Sequence, residues 1–112
     1  LMAINIKFPT PRLNESQIAI IPFGSYCNQK LAAAKPGDMV SFLKDKKQDV
    51  RMIKQITRYR IETAEFTFIM RYVFGENMTI SKLLADWQAW SIVEGYGKKG
   101  FNRDQCLVLE IC

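Results

Sequence analysis

Two runs of strand-forming residues constrain this chain more than anything else in it. Asp38-Met39-Val40-Ser41-Phe42-Leu43 and Val50-Arg51-Met52-Ile53-Lys54-Gln55-Ile56-Thr57-Arg58-Tyr59-Arg60 flank the charged tract Lys44–Asp49. β-Branched and apolar residues around a short solvated turn predict an antiparallel hairpin with a long second strand. Lys54, Arg58 and Arg60 share one parity along that strand and Arg51 has the other, so a single basic stripe needs a bulge to align it.

Shorter elements surround the hairpin. Ile4-Asn5-Ile6-Lys7-Phe8 alternates apolar and polar, which predicts a strand ended by Pro9-Thr10-Pro11. Gln17–Ile21 is a continuous apolar run before Pro22, as in a strand buried on both faces. Ser25 would N-cap a short helix over Tyr26–Ala34, stopped by Pro36-Gly37. Thr63 would cap a helix whose apolar stripe is Phe66, Ile69, Met70 and Val73, with Gly75 just past its end. A second helix follows Thr79, with Ile80, Leu83, Leu84 and Trp87 in register. Gly95-Tyr96-Gly97-Lys98-Lys99-Gly100 reads as a flexible basic loop whose backbone N–H groups could approach an anion. Gln105–Cys112 is the last strand. The expected fold is α+β: one domain over residues 1–112, a small, partly open mixed β-barrel with two or three inserted helices.

Composition narrows the chemistry. The chain has no histidine, which removes Ser-His-Asp and Cys-His nucleophile systems and mixed Cys/His zinc sites. Cys27, Cys106 and Cys112 form no C-x-x-C pair, and usage of this kind reads as reduced, structural and cytoplasmic. A reactive Cys27 beside Tyr26 is the alternative. No apolar run is long enough to span a bilayer, and the first residues turn polar too soon for a signal peptide. No metal, cofactor or membrane is expected. Lys plus Arg outnumber Asp plus Glu by 16 to 11, a net +5, which suits an anionic partner such as RNA or a nucleotide.

Four features in order resemble an ASCH domain of the PUA-like superfamily. They are Pro36-Gly37-Asp38 opening a strand, the long partner strand through Tyr59, Gly75-Glu76-Asn77-Met78-Thr79 ahead of a Trp-bearing helix, and Cys106-Leu107-Val108-Leu109-Glu110-Ile111 as a terminal strand. Together they cover about two thirds of the chain, from Lys35 onward. The Glu76-Asn77-Met78-Thr79 run is similar to that of the small bacterial acetylcytidine amidohydrolases. In that branch the glutamate is catalytic and works with a lysine and a threonine of an early K-T-x-T-x-R run. Only Glu76 carries over. Neither Ser16–Ile21 nor Pro22–Cys27 supplies the lysine or the arginine, and only Ser25 offers a hydroxyl at the second threonine's place. Lys30, on the short helix, is the one candidate for the missing lysine.

Three functions follow as expectations. The first is a non-catalytic domain binding RNA or a nucleotide-like ligand in a barrel cleft rimmed by Glu76, Arg58, Arg60 and the Gly95–Gly100 loop. Ser25, Tyr26, Lys30, Tyr96, Lys98, Lys99 and Arg103 join Arg58 and Arg60 as ligand contacts, tyrosines stacking on bases and cations meeting phosphates. The second is an amidohydrolase acting on a modified nucleoside, with Glu76 as proton carrier; against it, Glu76 also suits a solvated carboxylate ahead of a helix N-terminus. The third is a protein-interaction module with no small ligand. Trp87, in the apolar register, reads as core, while Trp90 suits either core or stacking.

Overall fold

The structure, a computed structural model, describes residues 3–6, 17–44 and 47–112. Five strands are present among these: β1 (Ile4–Ile6), β2 (Ile18–Ile21), β3 (Met39–Lys44), β4 (Lys47–Arg60) and β5 (Gln105–Ile111). Two helices, α1 (Ala64–Phe74) and α2 (Ile80–Val93), separate β4 from β5, and a 3₁₀ turn covers Gln29–Ala33. The strands form one mixed sheet in the order β1-β3-β4-β5-β2. β1 runs parallel to β3, and the other pairings are antiparallel. The protein is therefore α+β. The expected stop at Pro9–Pro11, and Asp45 and Lys46 of the charged turn, lie outside the described residues.

β2 and β5 are buried on both faces, and their sequences show why. Along β5, Leu107, Leu109 and Ile111 enter one core cluster while Cys106 and Val108 enter the other. β2 divides the same way, with Ala19 and Ile21 on one face and Ile20 on the opposite one. Continuous apolar runs are what a doubly covered strand requires, since alternation would bury polar groups. The first cluster draws Ile6, Val40, Phe42 and Ile53 from the remaining strands, and only Phe23 and Leu31 from elsewhere. The sheet does not close: β1 and β2, at the two ends of the order, do not pair with each other. In place of the expected barrel stands an open five-stranded mixed sheet.

The second cluster is the helical layer. Phe66 and Met70 of α1 pack with Leu83, Trp87 and Trp90 of α2 against Ile20, Cys106 and Val108. Both tryptophans are core, Trp87 lying edge-on to Phe101 with ring centroids 5.9 Å apart. Each helix starts where a threonine hydroxyl can satisfy an orphan N–H. Thr63 Oγ1 accepts from the Phe66 N–H, and Thr79 Oγ1 from the Lys82 N–H, both at 3.2 Å.

Two local features depart from expectation. Ser25 does not cap the 3₁₀ turn. Asn28 precedes it instead, in the left-handed region with φ 52°, a conformation that asparagine tolerates better than most residues. Its Nδ2 donates to Pro22 O at 2.9 Å, which fixes the turn against the end of β2. In β4 the register slips between Ile53 and Gln55, leaving Lys54 as the extra residue of a bulge. Ile53 and Ile56 consequently face the same cluster. The bulge brings Arg51 onto the face shared by Arg58 and Arg60, with those isoleucines between them. Two basic ends separated by core result, not a stripe.

Candidate nucleic-acid interface

Three of the expected ligand contacts meet in space. Tyr26 and Lys30, from the segment after β2, and Tyr96, from the loop after α2, line one depression of about 200 Å³. Ile4 and Asn5 of β1 and the amide side chains of Asn28 and Gln29 complete it. The Asn28 to Pro22 hydrogen bond sets the direction in which residues 26–30 leave β2. Tyr26 is 68% exposed, a large value for an aromatic ring. Tyr96 is half-buried and packs on Trp90, with centroids 5.8 Å apart, so one of its faces is anchored to the core.

The glycine loop is folded, contrary to its flexible appearance in sequence. Ser91, fully buried on α2, donates from its hydroxyl to Gly97 O at 2.6 Å. The N–H groups of Gly95, Tyr96 and Gly100 donate to Ile92 O, Ser91 O and Gly97 O, so these three are not available to an anion. Gly95 and Gly97 hold positive φ angles of 84° and 78°, which explains their identity. Lys98 and Lys99 occupy the outer turn of this loop and are exposed. The ammonium groups of Lys98 and Lys99 are free to reach phosphate from that turn.

This loop is held against the Tyr26 segment by backbone packing. Asn102 N–H donates to Phe23 O at 2.7 Å, and Gly24 N–H to Cys27 O at 2.9 Å. A Cβ on Gly24 would lie 2.8 Å from the Phe101 Cα. Only glycine permits so close an approach of two main chains.

The other expected contacts are dispersed. Ser25 and Arg60 are exposed outside the depression. Arg58 places its guanidinium 5.0 Å from the centre of the Phe23 ring. Arg103 stacks over Phe101 at 5.2 Å and donates to Gln88 Oε1. Glu76 lines a separate open groove of about 980 Å³ on the outer face of α1, shared with Glu62, Phe68, Arg71 and Tyr72. The two depressions have no residue in common. The expected rim of Glu76, Arg58, Arg60 and the glycine loop is therefore not assembled around one cleft. No lysine lines the groove with Glu76, and no hydrogen bond joins Glu76 to a lysine among the described residues.

Asn5, Asn28 and Gln29 were not legible as site residues, because nothing local marks an amide as facing a loop distant in sequence. Phe68 and Tyr72 had a signal: they sit one turn apart, off the stripe of Phe66 and Met70. Cys27 and Cys106 are buried, and burial pushes their thiols up to about 11 and about 12, which leaves them protonated and unreactive at neutral pH. Among the described residues no cluster of three or more His, Cys, Asp or Glu could hold a metal ion. No helix among them is long and apolar enough to cross a membrane. Compared with protein-family models, curated proteins and solved structures, the chain matches none.

Proposed function

We propose that this chain is a non-catalytic, ASCH-like domain of the PUA-like kind that binds single-stranded RNA. One nucleotide sits in the depression formed by Tyr26, Lys30 and Tyr96. The observation that carries this reading is the convergence of those residues from two distant segments, beside the exposed Lys98 and Lys99. Small-ligand pockets usually enclose about 300–1,000 Å³. The 200 Å³ available here suits one base or one sugar-phosphate, with the rest of the strand lying across the surface. An exposed Tyr26 ring is a stacking platform, and the lysines supply phosphate contacts that position a strand without reading its sequence.

Binding is favoured over amide hydrolysis by the separation of Lys30 from Glu76. The resemblance requires a lysine beside that glutamate, and the two residues line different depressions.

Anisotropy of a labelled ten-nucleotide oligoribonucleotide tests the proposal. Three lysines on phosphates predict a slope of log K against log salt of about −2, since each contact on a single strand contributes about −0.7. Affinity then falls about 20-fold between 50 and 200 mM salt. Tyr26→Ala removes a stack worth about 1–3 kcal/mol. No binding at 50 mM salt, or a Tyr26→Ala affinity equal to that of the wild type, would sink the reading.

A further inference from the structure

The groove on α1 is unused by the RNA reading and has the opposite chemistry. Phe68 is 74% exposed and Tyr72 52%, two rings one turn apart on the helix face turned away from the core. Glu62 lies at the N-terminal end of this groove and Glu76 just beyond the C-terminal end, with Arg71 between. On a chain of net charge +5, two carboxylates framing the exposed Phe68 ring make a local site for cations. Phosphate would be repelled by both glutamates. The negative end of the α1 dipole also points toward Glu76 and favours a positive charge there.

We propose that this groove docks an extended, arginine-bearing segment of a partner protein, one arginine reaching Glu62 and another Glu76. Arginine fits better than lysine because its planar guanidinium stacks on an aromatic face while forking onto a carboxylate. The helix sets the scale of the spacing, with Glu62 two residues before its start and Glu76 two after its end. Eleven residues of α1 span about 16 Å at 1.5 Å per residue. An extended segment at about 3.3 Å per residue covers that length in roughly five residues. Arg71 disfavours a third cation in the middle and favours an acidic residue in the segment.

The test uses a labelled peptide with two arginines five residues apart and an aspartate between them. Comparison peptides carry the same residues with adjacent arginines, or lysines in their place. The spaced arginine peptide should bind most tightly. Glu62→Gln, Glu76→Gln and Phe68→Ser should each weaken it about 2- to 5-fold, as exposed ion pairs and cation–π contacts do, while oligoribonucleotide affinity stays unchanged. Circular dichroism checks the fold of Phe68→Ser, and the glutamate variants suffice if it fails. Any of three results would overturn the proposal: equal binding of the spaced and adjacent peptides, loss of oligoribonucleotide binding in Glu76→Gln, or a dimer of this chain that Phe68→Ser dissociates.

Discussion

Replacing Gly24 with alanine tests how the glycine loop is positioned. The added Cβ would meet Phe101 Cα at 2.8 Å, Asn102 N at 3.0 Å and Gly100 O at 3.1 Å. Carbon atoms in good contact sit about 3.5–4.0 Å apart, so the overlap is several tenths of an ångström or more. All three atoms are main chain and cannot rotate away. Relief requires residues 100–102 to move from residues 23–24, which stretches the 2.7 Å bond from Asn102 N–H to Phe23 O. Overpacking of this kind costs about 1–3 kcal/mol. Taking about 2 kcal/mol and a urea m-value near 2 kcal/mol/M, the unfolding midpoint drops by about 1 M with m unchanged. The same displacement moves Tyr96 relative to Tyr26, so oligoribonucleotide affinity should fall as well. Gly37→Ala is the control. Its Cβ meets nothing within 4 Å but its φ is 97°, so it loses stability through backbone strain and keeps its RNA affinity. A Gly24→Ala midpoint within about 0.2 M of the wild type, against the expected drop of about 1 M, would refute the reasoning.

Other perturbations address separate parts of the structure. Ser91→Ala removes one of two donors to Gly97 O, which keeps the Gly100 N–H, and should cost about 0.5–1.5 kcal/mol, with faster amide exchange through residues 95–100. Thr63→Ala and Thr79→Ala each remove a helix cap and should cost about 1 kcal/mol in urea denaturation. Native protein at pH 8 should react with one equivalent of a thiol reagent, at the exposed Cys112, and with three after denaturation. The buried thiols also fix a pH dependence. Folding raises their pKa from 9.0 to about 11 and about 12, so the folded state binds protons more tightly. Their contribution is intact below pH 9 and is lost as the pH rises toward 11–12, so the urea midpoint should decline over that window.

Local pattern revealed the elements, and tertiary packing decided what they assemble. The stripe of Phe66 and Met70, the caps Thr63 and Thr79, and the apolar runs of β2 and β5 were readable because each depends on neighbours in sequence. β1 pairing parallel with β3, and β2 reaching β5 at the far end of the sheet, were not readable, because no residue in a three- or four-residue strand specifies a distant partner. The short turn over Gln29–Ala33 departs from a Ser25-capped helix because the Asn28 amide is tied to Pro22 O, a contact with the preceding strand. Tyr26, Lys30 and Tyr96 were individually plausible ligand contacts, but their meeting depends on a glycine at position 24 and a buried hydroxyl at position 91. Glu76 was the most conspicuous residue in the sequence. It lines the outer groove of α1 and not the depression that holds Lys30.

Chemical-shift mapping of the labelled protein with a short single-stranded oligoribonucleotide at low salt tests the central claim most directly. The account predicts perturbations at Asn5, residues 26–30 and residues 95–99, with Glu62, Phe68, Tyr72 and Glu76 unmoved. Perturbations centred on the α1 groove, or none anywhere, would contradict it.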